Sequence, residues 1–166
     1  ALKNSPYRIT LNTAFRQVIE QCADAPFRDD GTWILPEMQA AYINLHKLGY
    51  AHSIEVWDYS NGTFYPEELV GGLYGIAING FFSGESMFYT KPNASKFAIV
   101  ALTNLLKSIG VGFIDCQILN PFLASMGAID ISRESFIKRQ QSAINIDMET
   151  NFWQARELDL NDQIVG

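Results

Sequence analysis

The sequence predicts an α/β fold, an α+β mixed sheet with helices on both faces, and three observations predict it. Residues 93–110 place Phe97, Ala98, Ala101, Leu102, Leu105, Leu106 and Ile109 on one helical face, and an apolar run of strand length, 111–114, follows directly. Residues 51–59, 68–79 and 81–89 read as consecutive strands divided by turn signals. Two more helical patterns precede those strands, so apolar helix faces flank the sheet in both directions of the chain.

Each element has its own reason. Residues 6–11 are an extended lead-in, and 12–23 form a helix with Ala14, Phe15, Val18, Ile19 and Cys22 on its buried side. Residues 24–31 are a turn-rich break. Pro36 opens a second helix, because its missing N–H costs nothing in a first turn, and Gly49 closes it. The apolar stripe of that helix is Met38, Ala41, Tyr42, Leu45 and Leu48. Along 51–59, Ser53, Glu55 and Trp57 share one face while His52, Ile54 and Val56 share the other. Ser60-Asn61-Gly62 is a hairpin signal. Glycines at 71, 72, 75, 80 and 84 mark bulges or close approach of another group to the backbone. Asn93 or Ser95 caps the central helix, and Gly110 ends it in the left-handed conformation. Residues 121–126 form a short helix and 128–131 a last strand. Ser132 caps a final helix with Phe136, Ile137 and Ile144 inward, and the tail from Asp147 shows little period.

Composition narrows the function classes. A length of 166 residues and 48 % hydrophobic content suit one packed domain. No apolar run reaches about 18 residues, so no membrane partner is expected. No secretory signal is visible, and Cys22 and Cys116, far apart and outside any metal or redox motif, fit a reducing cytoplasm. The net charge is −6, of which residues 147–166 carry −4. Any nucleic acid therefore requires a local basic patch. Lys91 with Lys96, and Arg133 with Lys138 and Arg139, are the candidates, each also readable as an ordinary solvated face.

Chemistry concentrates in Phe113-Ile114-Asp115-Cys116-Gln117. Residues two apart on a strand project to one face, so Asp115 and Gln117 address one small volume, about 7 Å apart along the chain. Open α/β sheets form sites at such carboxyl ends, although polar residues also end strands for no chemical purpose. No ligand cluster for a metal is present, and no cofactor is expected. His46, His52 and Glu55 read as structural groups bonded within the fold.

A family resemblance covers about residues 5–155. Its motifs are Trp33-Ile34, Ala41-Tyr42-x-x-Leu45-His46-x-x-Gly49-x-Ala51-His52-Ser53-x-Glu55-x-Trp57 and Leu69-Val70-Gly71-Gly72-x-Tyr74-Gly75. Phe82-x-Gly84-Glu85-Ser86-Met87-Phe88, Asn93-Ala94-Ser95-Lys96, Asp115-Cys116-Gln117, Ala124-Ser125-x-Gly127-Ala128 and Phe152-Trp153 complete the set in family order. Together they resemble the leucyl/phenylalanyl-tRNA–protein transferases.

The resemblance implies a cytoplasmic enzyme of the N-end rule, moving Leu, Phe or Met from charged tRNA to an N-terminal Arg or Lys and so tagging the acceptor for degradation. It also implies an acetyltransferase-like (GNAT-type) mixed sheet, and a monomer is expected. The chain then corresponds to the family's C-terminal catalytic domain over 1–166, the smaller N-terminal domain being absent from it. Its partners would be the 3′ aminoacyl-adenosine end of tRNA and the acceptor protein or peptide.

On this reading Asp115 and Gln117 are catalytic. Gln117 has no titratable site, but its carbonyl oxygen can accept a bond from the incoming amine, while Asp115 orients the carboxamide. Leu73, Phe82, Met87, Ile99 and Leu102 are implied to line an apolar aminoacyl slot, though each is equally a core position. Glu85, with Ser86 beside it, faces the substrate cleft, and Trp33 and Tyr42 offer aromatic faces to the adenine. Asn120 and Ser125 are further site candidates. Two departures stand out: Phe122 replaces a frequent histidine, and residues 58–66 resemble a hairpin insertion.

The rivals are a coenzyme A-dependent acetyltransferase, a tRNA-dependent cell-wall peptide transferase, and an inactive fragment that binds peptides. The first requires a glycine-rich pyrophosphate cradle before the central helix, where this chain has Lys91-Pro92-Asn93-Ala94-Ser95-Lys96. The second lacks the Asp115-Cys116-Gln117 signature.

Overall fold

The computed structural model describes residues 7–24, 35–59, 67–116 and 121–159. The elements in order are β1 (Tyr7–Leu11), α1 (Phe15–Ala23), α2 (Pro36–Lys47), β2 (Ala51–Asp58), β3 (Glu68–Ile78), β4 (Phe81–Tyr89), α3 (Ala94–Lys107), α4 (Pro121–Ser125), α5 (Arg133–Ile144) and β5 (Arg156–Leu158). The five strands lie in the order β4-β3-β2-β1-β5, every neighbouring pair antiparallel. An isolated parallel bridge joins Ser83 of β4 to Asp115. The architecture is therefore α/β, but the sheet is antiparallel rather than mixed, because residues 111–114 add no parallel strand beyond that one bridge.

Helices cover both faces, as the alternation of side chains along the strands requires. Leu73 and Met87 point toward α3, where Ala98, Ala101, Leu102, Leu105 and Leu106 form the larger core with Ile54, Val56 and Phe82. Their neighbours Tyr74 and Phe88 point the other way, into a second core with Phe15, Val18, Ile19 and Cys22 of α1. β2 is the central strand, and Ala51 to Val56 are all buried.

Several boundaries differ from the sequence reading, each for a local reason. α1 begins three residues late, because Asn12 takes a left-handed φ of 56° and turns the chain out of the sheet. Along α2 the predicted Ala41 and Leu48 are exposed, and Tyr42, Ile43 and Leu45 make the packing contact. Asn93 occupies the cap position of α3 with a φ of 66° and makes no side-chain cap bond, while Ser95 lies inside the helix. Residues 111–114 form no strand; they meet the sheet through the single bridge at Asp115. Residues 128–131 are irregular rather than a strand, and Ile137 is 38 % exposed. The tail holds β5, which completes the sheet beside β1. Ser132 caps α5 as expected, its Oγ accepting from Ser135 N at 3.1 Å.

The glycines do what close packing demands. A Cβ at Gly71 would stand 2.7 Å from the Cβ of Ala94, so the missing side chain lets α3 sit down on β3. A Cβ at Gly75 would strike Ser83 O and the Phe82 ring. The Ser60-Asn61-Gly62 turn lies outside the described residues, while the antiparallel β2–β3 pairing agrees with it.

Candidate active site

β4 is an edge strand of the sheet, and its register against β3 slips between Tyr74 and Gly75. Tyr74 faces Ser86 and Gly75 faces Gly84, which leaves Glu85 as the extra residue of a bulge. A bulge re-aims a side chain, and Glu85, half-buried, accepts a hydrogen bond from the Tyr42 hydroxyl at 3.1 Å. Tyr42 reaches from α2 with its ring edge against Tyr74, centroids 5.3 Å apart. Burial first, then the Glu85 charge and hydrogen bond, push the Tyr42 hydroxyl up to about 12, so it remains a donor throughout the physiological range.

Asp115 arrives at the same place from the other side. Its N–H donates to Phe82 O at 3.0 Å, and its carbonyl accepts from Gly84 N at 2.8 Å. These two bonds clamp the 111–116 segment onto β4 directly before the Glu85 bulge. Beyond the clamp a cleft of about 670 Å³ opens between α3, residues 111–116, α4 and α5. Asp115 and Cys116 lie on its wall, with Ile99, Leu106 and Ile114 supplying apolar surface. Burial, then the Asp115 charge, raise the Cys116 thiol, which keeps it protonated at neutral pH.

Asp115, Glu85, Ser86 and Tyr42 thus gather along the middle of β4. Of the five residues assigned to an apolar slot, Ile99 lines the cleft. Leu73, Phe82 and Leu102 are at most 5 % exposed, and Met87, half-buried, stands opposite Leu73 in the ladder. Those four lie in the α3-side core rather than on the cleft wall. Leu106 and Ile114 went unnamed as site residues in the sequence. The spacing held the signal for Leu106, which follows Leu102 by one helical turn and Ile99 by two. Gln117, Trp33 and Asn120 lie outside the described residues, as does the side chain of Phe122. Ser125 is exposed at the end of α4.

The basic patches separate. Lys91 is held by Asp58 at 2.5 Å and Glu68 at 3.5 Å. Lys138 pairs with Glu134 on the outer side of α5, whereas Arg133 and Arg139 line the cleft.

The groups read as structural are bonded within the fold. The Nδ1 of His46 donates to Ala51 O at 2.9 Å and its ring stacks on Phe15. His52 stacks on Trp153 at 4.1 Å, and its Nδ1 accepts from the Asn12 carboxamide at 2.9 Å. Burial, aided by the nearby His46, lowers His52 to about 4, so it is a neutral ring. Glu55 accepts from Thr13 N and Ala14 N at 2.6 Å and from Thr13 Oγ1 at 2.9 Å, and so caps α1 from β2.

The family model described as leucyl/phenylalanyl-tRNA protein transferase matches residues 1–141. A leucyl/phenylalanyl-tRNA–protein transferase of Colwellia psychrerythraea is 61 % identical over 163 residues, covering 95 % of this chain and 65 % of the relative. Proteins of the same description from Pseudoalteromonas atlantica and Shewanella woodyi are each 46 % identical, covering 95 % and 96 % of this chain. The chain spans 64 % of the length of each of those two relatives. With a sheet, a clamped Asp115 and a bulged Glu85 in place along the matched residues, the chain belongs to the leucyl/phenylalanyl-tRNA protein transferase family.

Proposed function

We propose that this chain is the catalytic domain of an aminoacyltransferase that moves Leu, Phe or Met from aminoacyl-tRNA to the N-terminal Arg or Lys of an acceptor protein, acting as a cytoplasmic monomer in degradation tagging. The observation that carries the reading is the junction at β4, where the Asp115 clamp, on the wall of a cleft with apolar surface, adjoins the Glu85 bulge. Family membership supports it. The parallel bridge beside an edge bulge also supports an acetyltransferase-like (GNAT-type) arrangement, in which two strands part to admit an acyl donor.

The chemistry is ester aminolysis. The acceptor's α-amine nitrogen attacks the aminoacyl carbonyl carbon, a C–N bond forms, and the C–O bond to the tRNA ribose breaks. The amine's surplus proton ends on the leaving ribose oxygen. An α-amine titrates near about 8, so a useful fraction is neutral at pH 7 and the protein's task is orientation. We assign Gln117 to hold the amine by its carbonyl oxygen, and Asp115 to fix the carboxamide and stabilise positive charge developing on the nitrogen. Glu85, steadied by Tyr42 and beside Ser86, attracts the cationic side chain of the acceptor. The aminoacyl side chain enters the apolar wall at Ile99 and Leu106, over Leu73, Phe82, Met87 and Leu102. Trp33, Tyr42 and Asn120 serve the adenosine.

The test is transfer of labelled Phe from charged tRNA to an Arg-terminated peptide. Asp115→Asn should slow single-turnover transfer about 100-fold, the scale of losing a group that acts on transition-state charge. A wild-type rate in that variant sinks the assignment, and no transfer by the wild-type chain sinks the function.

A further inference from the structure

Two cations on the α5 wall of the cleft serve none of the roles above. Arg133 and Arg139 both line the cleft that Asp115 enters, and both are exposed. Among the described residues the ion pairs occupy Arg8, Lys91 and Lys138 and engage neither of these arginines. The carboxylates on the cleft wall are Asp115 and Asp130. Phe136 lies between the arginines, three residues from each, and lines the same cleft, so the three share one helical face. A rise of 1.5 Å per residue sets the two arginine backbones about 9 Å apart along α5.

We infer that Arg133 and Arg139 bind phosphodiester groups of the single-stranded RNA end that carries the aminoacyl group, with Phe136 as a face for one of its bases. The inference rests on the transferase reading and adds to it the path of the RNA. Guanidinium forks match phosphate oxygens in pairs, and an aromatic face accepts any base. A chain of net charge −6 repels RNA at long range, so it needs cations placed where the strand lies. In the other patch Lys91 is taken up by Asp58 and Glu68, which leaves Lys96 as a single cation there. The arrangement also separates the two substrates. A basic acceptor is repelled by the α5 wall and drawn to Glu85, while the RNA is drawn to α5 and repelled by Glu85. Asp115 stands between the two.

The test is binding of a fluorescent oligoribonucleotide with a single-stranded CCA 3′ end to the full chain, measured across a salt series. The double variant Arg133→Gln/Arg139→Gln should bind at least about ten-fold more weakly at low salt. Its plot of log affinity against log salt should be shallower by about 1.4, the value for two contacts on a single strand. Lys138→Gln, which removes one charge from the outer side of α5, should leave both nearly unchanged, and unaltered melting temperatures confirm folding. The inference is overturned if the wild-type chain does not bind the RNA, if the double variant matches it, if Lys138→Gln has an equal effect, or if an acidic peptide binds as tightly. RNA binding that depends on the two arginines, without aminoacyl transfer, leaves the surface standing and removes the transferase reading. Transfer that proceeds normally in the double variant does the reverse.

Discussion

Glu55 shows how one buried carboxyl group organises its surroundings. It is fully buried, yet three donors from Thr13 and Ala14 converge on its Oε1, and Ser53 Oγ approaches Oε2 at 3.4 Å. Thr13 in turn meets Thr10, which accepts from Trp57 Nε1 at 2.8 Å, so one polar chain ties β1, β2 and α1 together. Burial pushes Glu55 from its ordinary 4.5 up to about 7, against the pull of those hydrogen bonds. A raised carboxyl contributes stability that is complete below pH 4.5 and is lost as pH rises through 7. His52, lowered from 6.5 to about 4, has the opposite sign: its contribution is complete above pH 6.5 and is lost on acidification. The two nearly cancel between pH 4.5 and 6.5. Glu55→Gln should therefore unmask His52, and urea stability of the variant should climb with pH by up to about 1.4 kcal/mol per unit across that window. A flat profile in the variant would contradict this assignment.

At the scale of elements, β3 and β4 carry the site, and they do so by irregularity. The register slip at Gly75 demands a glycine there, because Ser83 O and the Phe82 ring occupy the space a side chain would need. Gly75→Ala should cost about 1–3 kcal/mol in urea unfolding through overpacking. It should also depress transfer beyond what stability explains, because Glu85 is aimed by the same bulge. On α5, Ser132→Ala should cost about 1 kcal/mol, the ordinary worth of an N-cap; no change in the urea midpoint would show that the cap bond does not matter. β3 and β4 were legible as apolar runs punctuated by glycine between turn signals, and they fall within one residue of their expected ends. Residues 111–114 misled for a physical reason. Apolar content marks burial, but a strand needs a partner, and this segment meets β4 at one bridge before parting from it.

For the whole molecule, one sheet separates two cores. Leu102→Ala in the α3-side core and Ile19→Ala in the α1-side core should each lower stability by about 2–5 kcal/mol. Because every strand is shared, both variants should still unfold in one transition, with fluorescence and circular dichroism coincident. Two separable transitions would mean that the faces fold independently. β5 belongs to this scale as well: three residues from an acidic, aperiodic tail find their role only beside β1.

The helices, the meander, the family and the Asp115 motif are all legible in the residue order, since period, glycine spacing and motif order are local properties of the chain. The packed molecule adds that Glu85 sits on a bulge held by Tyr42, that Asp115 is clamped to Phe82 and Gly84, and that Arg133 and Arg139 share its cleft. Those facts join residues distant in the chain. Register, edge pairing and the meeting of α5 with the 111–116 segment come from the packing of whole elements, which no single stretch of sequence specifies.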